Sequence, residues 1–273
     1  MKQRKELKKS KVLFLKMLID VHTHLDHELF EKDLDKVISR AKEARVKVII
    51  TNGINPKTNR QSLEISKKYD IVKCAMGIYP IDALQKEIEE GECPLEDEKI
   101  DVDSEIEFIK SNAKDIAAIG EVGMDGKYGE LEDQKEVFEK MILLAKELDI
   151  PIIVHSRKAE EECIELLEKH KMKKVIMHCF SGKKKLVNRI IENKWYFSIP
   201  CNCNRSQHFQ KIIELASINK LLTETDAPLM GPVVGERNEP AFVSGTIKKI
   251  AEIKGFEVEE VEKNIFLNYQ RLF

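Results

Sequence analysis

The longest stretch of this 273-residue chain without Asp, Glu, Lys or Arg is ten residues, Trp195 to Asn204. A membrane-crossing helix needs about 20 apolar residues, so the sequence encodes none. The N-terminal apolar run Val12 to Leu15 falls short of the roughly 7–15 residues of a secretory signal, and a cytoplasmic location is expected. Six cysteines (Cys74, Cys93, Cys163, Cys179, Cys201, Cys203) include no Cys-x-x-Cys pair, and they read as reduced thiols of an intracellular protein. Glycine and proline are scarce, at 12 and 8, and no Gly-, Ser- or Pro-rich linker divides the chain. No internal repeat is present. No Gly-x-Gly-x-x-Gly follows the first strand-like run, which argues against a dinucleotide site. Helix–turn–helix, zinc-finger and RNA-binding signatures are likewise missing, so sequence-specific reading of a groove is not expected.

What the chain does have is charge. Charged residues make up 34% of it, and 46 Lys+Arg oppose 48 Asp+Glu for a net −2. That balance hides two extremes. Residues 1–16 carry seven Lys/Arg against one Glu, a basic leader that ends before Met17, where a conventional chain start would lie. Residues 87–107 hold eleven acidic residues and only Lys99. This acidic stretch is expected to be an exposed insertion, around 82–104, in a single domain spanning 17–273. A near-neutral body does not exclude a nucleic-acid enzyme, because the placement of charge matters more than its sum.

Short apolar runs rich in β-branched residues alternate with helical patterns. Strands are predicted at Leu18–His22, Lys47–Asn52, Ile71–Gly77, Ile116–Val122, Pro151–His155, Lys174–Cys179, Trp195–Ile199 and Lys220–Thr225. Helical spacing appears at Leu34, Val37, Ile38 and Ala41, and at Val137, Met141, Leu144 and Ala145. Further helices are predicted at 56–69, 103–114, 157–169, 182–193 and 206–217, with one or two more between 240 and 271. Eight strands each followed by a helix predict an α/β fold, a single (β/α)₈ TIM-type barrel. Its active site is then expected at the C-terminal ends of the strands.

Candidate chemistry falls at those ends. His22 and His24 close the first strand, two positions apart and so on one face. Glu121 closes the fourth strand, His155 the fifth and His178 the sixth, and Asp226 follows the eighth. Any one of them is more commonly structural. Six converging on one barrel mouth point to a site, because a carboxylate there is costly unless paired or metal-bound. Six such donors suit two metal ions better than one, since a hydrolytic zinc takes about three protein ligands. Imidazole-rich ligation favours Zn, Mn, Ni or Co, with Mg less suited. His27, His170 and His208 lie off the strand ends and read as surface histidines.

The string Asp20-Val-His22-Thr-His24-Leu-Asp26, with Gly-Glu121-Val-Gly, Val-His155-Ser-Arg157, His178-Cys-Phe-Ser-Gly182 and Glu224-Thr-Asp226-Ala-Pro228, resembles the TatD family. Arg237-Asn-Glu-Pro240 and the closing Asn268-Tyr-Gln-Arg-Leu-Phe273 match its pattern too, so the resemblance runs from about Met17 to the C-terminus. It implies a metal-dependent deoxyribonuclease on an amidohydrolase-type barrel. His22, His24, Glu121 and Asp226 would hold one ion, Glu121, His155 and His178 the other, with Glu121 bridging. Asp226 would also orient or deprotonate the attacking water, making Asp226 and Glu121 the catalytic carboxylates. The implied substrate is DNA, bound weakly and without sequence specificity, and the implied activity 3′-to-5′ cleavage of single strands. The alternative is a C–N or ester hydrolase on the same metals, such as an aminoacyl-tRNA deacylase. No oligomeric state is legible.

Three places depart from the family pattern. Gly77-Ile-Tyr79-Pro80 stands where Gly-x-His-Pro is common, and a phenol does not replace imidazole as an acid at neutral pH without a large shift. After Asp125, Gly126-Lys127-Tyr128 replaces the usual aromatic and Arg. The seventh strand's end, Cys201-Asn-Cys-Asn204-Arg205, is also atypical. Substrate contacts are expected from Arg157, a potential bidentate phosphate ligand, and from Ser181 and Gly182 ahead of a helix. Arg237 is expected over the site from the last loop, with a loop-stabilising ion pair as the alternative. Asp20 is expected to pack beside the histidines.

Overall fold

A computed structural model describes residues 17–96, 99–128 and 131–273, and the basic leader 1–16 lies outside the described residues. The chain opens with β1 (Leu18–Thr23), buried along its whole length, then the single turn α1 (Glu28–Glu31) and α2 (Leu34–Glu43). Next come β2 (Val46–Asn52), α3 (Pro56–Lys68), β3 (Val72–Met76), α4 (Ile81–Glu89) and α5 (Val102–Ser111). The middle of the chain adds β4 (Ile116–Gly123), α6 (Leu131–Leu148), β5 (Ile152–His155), α7 (Glu160–Lys169) and β6 (Val175–Met177). It finishes with α8 (Lys184–Glu192), β7 (Tyr196–Ile199), α9 (Gln207–Leu215), β8 (Leu221–Thr223), α10 (Val243–Lys254) and α11 (Val258–Leu272). No described helix is long and apolar enough to cross a membrane.

All eight strands are parallel and hydrogen-bonded in chain order. The ring closes where β1 meets the end of β8. The Asp226 amide donates to the His22 carbonyl at 2.8 Å, and the His24 amide to that of Ala227 at 2.7 Å. The (β/α)₈ barrel expected from the sequence is therefore the fold. Strands covered on both faces must be apolar on both, which is why Ile152-Ile-Val and Val175-Ile-Met read as continuous hydrophobic runs.

Local signals set the helices. Asn55 caps α3, accepting from the Thr58 amide while the Thr58 hydroxyl accepts from the Asn55 amide, with Pro56 in the first turn. Val37, Ile38 and Ala41 of α2 are buried, as their spacing requires. On α11, Asn268 donates to the carbonyls of Ile218 and Leu221, pinning the last helix to the entry of β8. Two glycines let strand ends approach the site. A Cβ on Gly77 would lie 2.4 Å from the Glu121 carbonyl oxygen, and one on Gly123 (φ 146°) would lie 1.9 Å from that of His155.

The region after β3 differs from the expectation. Its first part is helical: α4 buries Ala83 and Leu84 against Tyr79, with partly buried Ile88 alongside. Ile81, Leu84 and Ile88 have helical spacing, but the surrounding charge conceals it. Glu105, inside the acidic run, is buried on α5, where Asn59 and Arg60 donate to its carboxylate. Likewise α7 starts at Glu160, not 157, because Lys158 takes a left-handed φ of 56° and leaves Arg157 on a loop. The six cysteines are free thiols, and Cys201 and Cys203 are buried in a 3₁₀ turn after β7.

Candidate metal centre

At the C-terminal mouth of the barrel, six side chains face one another across a few ångströms. Glu121 lies at the centre. Its Oε2 is 3.3 Å from His22 Nε2 and 3.5 Å from His24 Nε2. Its Oε1 is 3.1 Å from His155 Nδ1 and 3.8 Å from His178 Nε2. Asp226 Oδ1 lies 3.6 Å from His22 Nε2 and 3.5 Å from His24 Nε2. The two Nε2 atoms of His22 and His24 are 3.2 Å apart, and the His22 and His178 rings stack at 3.7 Å.

The far side of three rings is held. His24 Nδ1 meets the Asn52 carbonyl at 3.0 Å, His155 Nε2 meets Asp125 at 2.8 Å, and His178 Nδ1 meets Glu224 at 2.8 Å. Such partners fix ring orientation and leave the inward nitrogen as the donor. His22 Nδ1 is buried without a partner. Burial opposes charge on Glu121, yet His22, His155 and His178 hold its carboxyl well below the usual range. Burial equally opposes a protonated His24, but Asp226 and Glu121 push its pKa up to about 9. For His178, Glu224 outweighs burial and raises it to about 10, while Glu224 is itself pulled down to about 2. The pocket draws positive charge to its centre. Three overlapping sets have donor atoms within 4.8 Å of one another: His22, Glu121 and His178; His22, His24 and Asp226; and His178, Cys179 and Asp226. Imidazole and carboxylate donors, ring-anchored and turned inward, fit a divalent cation.

One wall of the mouth is a polar cluster. Asp125, fully buried, accepts from Arg157 Nε at 2.6 Å and from the Lys127 amide at 2.8 Å, besides His155. The Tyr79 hydroxyl lies 3.3 Å from Asp125, 3.3 Å from His155 and 3.4 Å from Glu87. Burial, then Glu121 and Glu87, push the Tyr79 phenol well above its usual pKa, so it stays protonated. Arg157 Nη2 reaches Glu87 on α4 at 2.5 Å. Tyr79, Glu87, His155 and Arg157 line a cavity of about 420 Å³ together with Cys179, Ser181, Phe209, Leu229 and Met230.

The other sequence candidates are placed as follows. Arg157 and Ser181 line the cavity, and the Ser181 hydroxyl donates to Glu160 at 2.6 Å. Gly182 packs on Phe180, where a Cβ would meet the ring at 2.4 Å. Arg237 is not brought to the mouth: its guanidinium pairs with both Asp33 oxygens at 2.7 Å and donates to the Leu29 carbonyl. The loop-stabilising alternative is the one that forms. Asp20 braces the β1–β8 seam, accepting from the His22 amide and from the amide and hydroxyl of Thr225. His170 pairs with Glu139 and His208 with the Phe180 carbonyl, whereas His27, read as a surface residue, lines the cavity. Sequence reasoning missed the roles of Glu224, Asp125 and Glu87. Glu224 had a signal, lying two residues before Asp226 just past β8; Glu87 had none, being one glutamate in a run of them.

The profile of the family described as TatD related DNase matches residues 19–273. A protein of Methanocaldococcus jannaschii, the uncharacterized metal-dependent hydrolase MJ1582, is 35% identical over 93% of this chain and 96% of its own length. The 3′-5′ ssDNA/RNA exonuclease TatD of Erwinia tasmaniensis is 28% identical over 94% of this chain and 99% of that protein. Among solved structures, the TatD homologue YJJV of Escherichia coli superposes with a TM-score of 0.81 at 23% identity, covering 94% of this chain and 97% of that one.

Proposed function

The chain belongs to the TatD related DNase family of metal-dependent hydrolases, and from that premise we propose that it removes nucleotides from the 3′ ends of single-stranded DNA using two divalent ions. The observation that carries the two-ion reading is Glu121. Each of its oxygens faces a different pair of imidazoles, His22 with His24 and His155 with His178. On this reading His22, His24, Glu121 and Asp226 would hold one ion, and Glu121, His155 and His178 the other. When bound, the pair would supply Lewis acidity toward a water and the phosphoryl oxygens.

The protein's own groups do the rest. Asp226 reaches the His22–His24 side through Oδ1, and it stands in place to orient a water and accept its proton. Glu224 and Asp125 hold the His178 and His155 rings so that one nitrogen of each faces inward, ready to ligate once an ion has displaced its proton. Phe209, Leu229 and Met230 give a base an apolar wall. Arg157 is the only Lys or Arg among the described residues lining the cavity, so few phosphates are gripped. Weak, sequence-tolerant binding with a shallow salt dependence follows. The 3′ polarity and the single-stranded substrate are supported by the name of the Erwinia relative.

The test is cleavage of 5′-labelled single-stranded DNA by the Mn²⁺-loaded protein, beside Asp226→Asn and Glu121→Gln. Progressive shortening from the 3′ end is expected, with both variants slower by at least about 100-fold. Undiminished cleavage by both would remove the proposed site. Hydrolysis of esters or amides without phosphodiester cleavage would replace the nuclease by the C–N or ester hydrolase.

A further inference from the structure

The acidic run after β3 and Tyr79 have no part in the chemistry above, yet both reach the cavity rim. Building on the phosphodiesterase reading, we propose that Glu87 is an internal anion seated in the phosphate subsite of Arg157. Helix α4 must release it before a substrate phosphate docks, which makes Glu87 a determinant of substrate affinity.

The two carboxylates on Arg157 are not equivalent. Asp125 is fully buried and also bound to His155, the Tyr79 hydroxyl and the Lys127 amide, so with Arg157 it cannot leave without stranding four donors. Glu87 sits on the solvent side, its side chain 17% exposed. Guanidinium binds carboxylate and phosphate with the same fork geometry, so one can replace the other. A nuclease whose single cavity guanidinium is covered by a carboxylate is at odds with a polyanionic substrate unless the cover moves.

Its attachments allow movement. Helix α4 has nine residues, no side-chain cap at Pro80, and buries only Ala83 and Leu84. Beyond Glu87, the straps to the facing turn are exposed: Glu90 accepts from the Tyr128 hydroxyl and Glu92 pairs with Lys127. Exposed pairs of this kind contribute little, so local opening is inexpensive. Opening strands no buried polar group either, because the Tyr79 hydroxyl keeps Asp125 and His155 within reach. The Glu87 carbonyl accepts from the amides of Glu92 and Cys93, so its release carries along the rim segment that also lines the cavity.

The test compares wild type and Glu87→Gln, both Mn²⁺-loaded, for binding of a fluorescent ten-thymidine strand and, separately, of inorganic phosphate. Glu87→Gln is expected to bind the strand about five- to tenfold more tightly. Its salt slope should be steeper by about 0.7, one more phosphate neutralised. The gain should vanish in the double variant with Arg157→Gln. Equal or weaker binding of both probes by a Glu87→Gln protein that melts like wild type overturns the latch. If that variant does not fold, amide exchange in the wild type decides: α4 amides should exchange faster with the strand bound, and unchanged protection overturns the latch. Should wild type neither bind nor cleave the strand, the DNA reading fails by itself. Tighter phosphate binding by Glu87→Gln would then keep the latch for another phosphate ester, and equal binding would discard it.

Discussion

The two sides of the barrel mouth are built by different means. On the β1–β8 side, His22, His24 and Asp226 stand on or directly beside backbone hydrogen bonds that close the ring. Their positions are as rigid as the barrel itself. On the β3–β5 side, Tyr79, Asp125, Arg157 and Glu87 are brought together by side-chain bonds, and Glu87 comes from a short, lightly buried helix. The first side is suited to hold metal-ligating atoms at fixed separations. The second is suited to admit and release a substrate. Rigid geometry for chemistry and adjustable geometry for binding are thus separated across one cavity.

Breaking the rigid side should have the largest effect. Glu224→Gln leaves the six inward donors in place but weakens the partner that orients His178, and metal affinity should fall about 10- to 100-fold. Calorimetric titration of the metal-free protein with Mn²⁺ checks this; unchanged affinity would mean that the barrel alone orients the ring.

The next effect is on pH. His24 and His178 have pKa values raised to about 9 and about 10, above the ordinary 6.5, so at pH 7.5 both are protonated in the metal-free protein. An ion must displace those protons. Affinity should therefore rise with pH up to about 9–10 and fall by about tenfold per site for each unit below. Titrations in buffers of different ionisation enthalpy should show proton release at pH 7.5, and none would contradict the charge balance described above.

Arg237→Ala should have the smallest effect. It removes a partly exposed, bidentate pair with Asp33 away from the cavity, so it should cost about 1 kcal/mol of stability and leave the KM for single-stranded DNA unchanged. A raised KM with an unchanged melting temperature would restore Arg237 to the substrate path.

The same division decides how much could be read in advance. All eight strands and the six inward donors were legible, because buried parallel strands leave apolar runs and polar residues at their ends stand out. Glu87 was not legible. Nothing local distinguishes it from Glu89 or Glu90; only the packing of α4 against Tyr79 turns it toward Arg157. Arg237 was ambiguous for the same reason, since a surface guanidinium takes whichever carboxylate the fold presents, here Asp33.

By itself, then, the sequence determined the strand–helix alternation, the barrel and the donor types at its mouth, because these follow from periodicity and from the cost of placing charge at the end of a buried strand. Tertiary structure alone decided which carboxylate answers which cation. Those pairings join residues far apart in the chain, 70 positions for Arg157 and Glu87 and 204 for Arg237 and Asp33, and no local pattern encodes a contact made only when the ring closes.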